Sequence, residues 1–205
     1  MGKIYEYRGI RGLVAAEVLN DDAEGMEFGA PFPIAGVSEL GKTTETSSEP
    51  HYYDNVPAIV IDSVGADEVT MSTSAIPFST LAKVTGQFYD EAKGMLVEGE
   101  RESKYFALGY ITKRTDGVEV FVWRLKGTFN IPDSTHATED DGTDANGQEL
   151  VFTGINTTHK FELTANGVTK KKTVKAVNIE QDVNPHEETT FFATVQTPET
   201  IVAAA

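Results

Sequence analysis

From residue 105 to residue 129 the chain alternates apolar and polar side chains with a period of two, and no other feature restricts the fold as tightly. Phe106, Leu108 and Tyr110 share one face of the first half. After the turn Thr115-Asp116-Gly117, Phe121, Trp123, Leu125 and Phe129 fall on one side, and Arg124, Lys126 and Thr128 on the other. Successive side chains of a strand point to opposite faces, so this spacing fits a strand and not a helix. Asp-Gly accepts the positive φ angles of a tight hairpin. The stretch therefore predicts two long, half-buried antiparallel strands.

Further β signals lie on either side. A second hairpin is expected between residues 58–64 and 68–75 across Gly65-Ala66-Asp67, with a first arm apolar enough for burial on both faces. Asn166-Gly167 marks a third, between 161–164 and 168–179. Lys93-Gly94 marks a short one between 87–89 and 95–97, and an early strand runs over about 12–19. One helix stands out, at about 77–85. Pro77 suits a first turn, Phe78, Leu81, Ala82 and Thr85 follow at helical spacing, and Gly86 ends the run.

Three stretches read as long loops: the acidic segment 20–30, the Thr-, Ser- and Glu-rich segment 43–57, and the acidic segment 132–148. Residues 181–205 read as a C-terminal arm. The expectation is one mainly β domain over 1–205, sandwich- or barrel-like, with one short helix and long protruding loops.

Motifs that would carry chemistry fail on their surroundings. Gly36-Val37-Ser38-Glu39-Leu40-Gly41-Lys42-Thr43 spells a phosphate-binding loop, and Asp62 closes an apolar run where a magnesium ligand would stand. Such a loop needs a helix after it, whose free N–H groups hold the phosphates. Here Thr43-Thr44-Glu45-Thr46-Ser47-Ser48-Glu49-Pro50 has no apolar stripe and stops at proline. The acidic segment is a poor calcium loop. With Gly147 as the obligatory glycine, the first ligand position falls on Gly142 and the closing glutamate on Thr153. His51, His136, His159 and His186 are scattered, and the chain has no cysteine. Lys170-Lys171-Lys172 lies where a strand is expected, so its side chains alternate between faces. No enzyme activity, cofactor or metal is expected. No apolar run approaches the ~20 residues of a membrane helix, and the N-terminus lacks the apolar core of a signal peptide, so a soluble chain with no membrane partner is expected. The balance of 17 basic against 32 acidic residues leaves a net charge of −15, which disfavours tight binding to nucleic acid.

The order of features resembles the major tail protein family of long-tailed bacteriophages, the tail tube proteins. The resemblance rests on Tyr52-Tyr53-Asp54-Asn55-Val56-Pro57 and on Tyr105-Phe106-Ala107-Leu108-Gly109-Tyr110 with the Asp-Gly hairpin ending at Phe129. Between them lie the short helix Ile76-Pro77-Phe78-Ser79-Thr80-Leu81-Ala82 and Gly86-Gln87-Phe88-Tyr89-Asp90. It spans residues 5 to 180. It implies a tail-tube fold whose subunits form hexameric rings, stacked into the virion's tail tube around the DNA exit path. It also implies other tail proteins (tape measure, terminator, distal tail) as partners, with DNA passing only transiently. The family offers no catalytic residue to carry over. Thr44, Glu45, Tyr52, Tyr53, Asp54 and Asn55 are the candidate inter-subunit contact residues, on a loop expected to reach a neighbouring copy. The net charge then suggests an acidic lumen that repels phosphates, an idea that fails if the lumen-facing strands are neutral or basic.

Two other classes compete. A binding module, an adhesin or a carbohydrate-binding domain, would expose aromatic residues, with Tyr52, Tyr53, Tyr105 and Trp123 available. A tube protein of a contractile injection system would share the fold and serve a different machine.

Overall fold

Alternation shapes the centre of the molecule, and the sheet it builds is covered on both sides. The computed structural model describes residues 4–136 and 147–203. In chain order these form β1 (Tyr7–Asp21), β2 (Met26–Phe28), β3 (Phe32–Pro33), β4 (Val37–Tyr53), β5 (Val56–Thr73), α1 (Phe78–Thr85), β6 (Phe88–Asp90) and β7 (Met95–Val97). There follow β8 (Phe106–Arg114), β9 (Glu119–Phe129), β10 (Asp133–Ser134), β11 (Gln148–Gly154), β12 (Phe161–Ala165), β13 (Val168–Lys172), β14 (Ala176–Glu180) and α2 (Glu188–Phe191). The protein is mainly β, a curled antiparallel sheet ordered β2-β1-β8-β9-β11-β5-β4. β3 adds to β1, β10 to β11 and β14 to β9, while β12–β13 and β6–β7 form separate two-stranded hairpins.

β8 and β9 pair as the alternation requires, from Lys113↔Glu119 to Phe106↔Gly127. Both of their faces are buried. Phe106, Leu108, Tyr110, Val120 and Val122 join one core with Leu13, Val69, Met71, Leu150 and Phe152. Ala107, Ile111, Phe121, Trp123 and Leu125 join a second core with Phe161, Ile179, Phe191 and Val195. Phe129 was expected beside Phe121 and Trp123, yet it packs in the first core. The cause is a register shift: Leu108 pairs with Arg124 but Phe106 pairs with Gly127, so β9 holds one extra residue. A bulge of this kind reverses the facing of every later side chain. Arg124, expected to point to solvent, is also buried.

The helix follows its sequence signals. Pro77 precedes it, and Gly86 closes it in the left-handed region at φ 73°, donating its N–H to Ala82 O. A side chain at Gly86 would also strike Glu102 O, 1.8 Å from an ideal Cβ. Leu81, Ala82, Val84 and Thr85 are buried, whereas Phe78 is exposed rather than packed on the sheet.

Five expectations are corrected. Segment 43–57 is not a loop: Val37–Tyr53 is one strand, paired with Val56–Thr73 almost throughout. Threonine-rich segments suit strands, and the reversal falls at Asp54-Asn55, whose φ angles of 51° and 65° are those of a type I′ turn. The hairpin across Gly65-Ala66-Asp67 does not form, because β5 runs straight through it. Gly65 instead leaves room for the Glu45 carboxylate, which a Cβ would meet at 2.6 Å. Segment 20–30 is short-circuited by Asp22, which accepts the N–H groups of Glu24 and Gly25 and lets β2 return along β1. Residues 181–203 are no free arm, since Phe191 and Phe192 stack on Phe121 at 5.2 and 5.5 Å between ring centres, and Phe191 and Val195 join the second core. The third hairpin is shorter than expected: β13 ends at Lys172, and 176–180 pairs with β9 instead. Most of segment 132–148, including 142–146 of the weighed calcium loop, lies outside the described residues.

Candidate functional site

The feature with no role in either core is the outer part of the β4–β5 hairpin. β11 pairs with β5 only from Asp67 to Thr73. Beyond that point, 46–53 and 56–64 pair with each other alone, from Thr46↔Val64 to Tyr53↔Val56. At about 3.4 Å per residue this two-stranded arm reaches roughly 25 Å from the sheet.

The pairing sorts its side chains. Glu49, His51, Tyr53, Val56, Ile59 and Ile61 share one face, and Pro50, Tyr52, Val60, Asp62 and Val64 the other. Tyr52, Tyr53, Val56, Ile59, Val60, Ile61 and Val64 are each between 51% and 63% exposed. A strand with one face on a core alternates apolar and polar residues. This arm is apolar on both faces and packs neither against the body. Contiguous exposed apolar surface of this kind marks an interaction site.

The arm's root is held by charge. Asp67 Oδ2 accepts a hydrogen bond from Arg124 Nη1 at 2.8 Å. Asp67 Oδ1 accepts from Thr44 Oγ1 at 3.0 Å and from Lys175 Nζ at 3.2 Å. Lys175 also donates to the Gly65 carbonyl, and Arg124 Nε donates to Tyr110 Oη at 3.3 Å. Burial pushes the Asp67 pKa up, but the bonds from Thr44 and Lys175 and the charges of Lys175 and Lys42 outweigh it and hold the carboxyl below its ordinary value. Asp67 thus ties β5 to β4, β9 and the segment before β14. The register shifts between Thr44 and Thr46, where Gly65 and Ala66 of β5 stand opposite the single Glu45 and the arm leaves the sheet.

The six expected contact residues therefore split into two groups. Tyr52, Tyr53, Asp54 and Asn55 form the arm's exposed tip, while Thr44 and Glu45 sit at its root. Sequence reasoning missed Val56, which it put in the 43–57 loop, and Ile59, Val60, Ile61 and Val64, which it took for a buried strand over 58–64. Residues 37–43 of the phosphate-loop spelling lie in β4, and Gly36 donates its N–H to Ser74 Oγ. The helix that would make a phosphate site does not follow. Of the four aromatic residues open to a binding module, Trp123 is fully buried and Tyr105 is exposed with Lys126 Nζ 4.9 Å over its ring, while Tyr52 and Tyr53 are exposed at the arm's tip. No group of three His, Asp or Glu residues able to hold a metal occurs among the described residues. No described helix is long and apolar enough to cross a membrane.

Fold and site together define a mainly β protein with a curled antiparallel sheet and a projecting, two-sided apolar β-arm. No family model matches the chain, and no curated protein matches it either.

Proposed function

We propose that this chain is a structural subunit that assembles with copies of itself into stacked rings, the tail tube of a long-tailed phage, and that the β4–β5 arm is its main inter-subunit contact. The observation that carries the reading is the arm: about 25 Å of paired backbone whose apolar side chains lie outside both cores. A segment that contributes nothing to the subunit's own core, yet exposes isoleucine, valine and tyrosine on both faces, has its apolar area covered in an assembly. Head-to-tail contact of an arm with a different surface of the next copy propagates into rings or filaments, as a tube requires. The virion is then where the protein resides, with other tail proteins capping the tube and DNA crossing it during ejection. The net charge of −15 supports smooth passage of a polyanion.

Negative-stain microscopy of the concentrated protein, intact and with residues 47–63 replaced by a two-residue Asn-Gly turn, tests this. The intact chain is expected to give rings or tubes, and the shortened chain a folded monomer. An intact chain that stays monomeric at every concentration and binds glycans through Tyr52 and Tyr53 would overturn the reading in favour of a binding module.

A further inference from the structure

The arm is acidic as well as apolar. Between Thr46 and Val64 it carries Glu49, Asp54 and Asp62 and no lysine or arginine. None of these carboxylates forms an ion pair among the described residues. Two arms meeting each other would bring like charges together, although their open edges and apolar faces suit pairing. The charge thus disfavours arm-to-arm dimers, which would close on themselves and stop growth.

One other element mirrors it. The β12–β13 hairpin and its lead-in carry Lys160, Lys170, Lys171 and Lys172 against a single Glu162, in a chain whose overall balance is strongly acidic. All of β13 is exposed, including Val168. Lys171 is paired with Glu162 at 3.2 Å on one face. Lys170 and Lys172 stand across from Leu163 and Phe161 on the other face, with no ion pair among the described residues. Both hairpins spring from the same end of the sheet. Gly154, where the chain leaves β11 toward β12, pairs with Asp67 at the arm's root, and Lys175, just past β13, bonds to Gly65 and Asp67. Copies set side by side in the same orientation therefore present the arm of one at the level of the basic hairpin of the next.

We propose that the arm of one copy lies along the β12–β13 hairpin of its lateral neighbour, setting the arm's acidic charge, Glu49 on one face and Asp62 on the other, against the basic charge of Lys170 and Lys172. This rests on the self-assembly reading and adds its partner surface. Opposite charge selects the head-to-tail contact over arm-to-arm pairing, and apolar burial supplies most of the affinity.

A charge swap tests it. K170E/K172E and E49K/D62K each place like charges in the contact, and each is expected to raise the concentration needed for assembly about tenfold or more. The quadruple variant restores opposite signs and is expected to return to within about threefold of the intact chain. Circular dichroism of each variant as a monomer checks that these exposed substitutions leave the fold intact. If the intact chain assembles and neither double variant differs from it, or the quadruple variant assembles no better than the doubles, the contact is wrong while self-assembly stands. If K170E/K172E assembles normally and loses only retention on DNA, the hairpin serves nucleic acid and the proposal fails. If the intact chain never assembles, the function itself is wrong.

Discussion

The two faces of the arm make separable predictions about what covers it. Ile59 and Ile61 lie on one face and are 51% and 56% exposed; Val60 and Val64 lie on the other at 57% and 62%. Replacing a pair by threonine keeps the β-branched shape and the strand preference, and puts a hydroxyl where a methyl group would be buried. Fully burying such a side chain stabilises by about 1.5–3 kcal/mol, and roughly half of each is still available to be buried. Loss of that gain at both isoleucines weakens association by roughly 3 kcal/mol, about two orders of magnitude in affinity. The valine pair is worth roughly 2 kcal/mol, about twentyfold to thirtyfold. Because neither pair belongs to a core, the stability of the monomer should stay within about 0.5 kcal/mol of the parent. Sedimentation velocity over a concentration series reads the association, and urea unfolding of dilute protein reads the fold. Both double variants failing to assemble means the arm is clasped on two sides. One failing alone means a single covered face. Two variants that assemble like the parent would refute the argument from exposed apolar area.

Asp67→Asn leaves Arg124 and Lys175 near a buried site without their carboxylate, and should cost about 3 kcal/mol in urea unfolding; a loss below about 1 kcal/mol would show that water screens the root. Asp21 is held by Lys126 at 2.6 Å and by the N–H groups of Thr158 and His159 at 2.7 and 2.8 Å. Burial raises its pKa, but these partners together outweigh that and leave it below the ordinary 3.8. A depressed carboxyl stabilises the fold fully above its unfolded pKa, and that contribution fades as pH falls through the lower folded value. Asp21→Asn should therefore be less stable than the parent at neutral pH, with the gap closing below about pH 3.8. A gap that is constant across that range would mean Asp21 acts only by shape.

The β8–β9 hairpin was legible because alternation and an Asp-Gly turn agree over 25 residues. Its facing was only half legible. Arg124 looks like a solvent residue until Asp67, 57 positions earlier, is folded against it. Phe129 changes sides through a bulge that leaves no mark in composition. The short helix, with its proline and glycine at the two ends, was legible almost to the residue. The arm misled for a physical reason. With neither face on a core, its first strand carries no alternation and reads as a polar loop, while its second carries apolar residues on both faces and reads as buried. The Gly-containing triplet at 65–67 then offered a false turn. Asp54-Asn55 was the true turn signal, and Tyr52–Asn55, expected on a long loop, stand at the tip of a paired hairpin.

A lone two-stranded hairpin is marginal in water, so the arm's order needs a source other than its own pairing. Continuity with β5 supplies part of it, since that strand is locked in the sheet from Asp67 onward. The root supplies the rest. Asp67 binds two cations and a hydroxyl from three separate segments, so the arm leaves the body at a fixed angle while its outer 20 or so residues stay bare. A chain selected for folding alone gains nothing from a rigid root beneath an unpacked, apolar arm. Under the proposed assembly the same arrangement lowers the entropy cost of docking, because the arm is aimed before it meets a neighbour. The acidic charge along it then acts at the step where β edges are most dangerous, holding identical arms apart until each meets a surface of opposite sign.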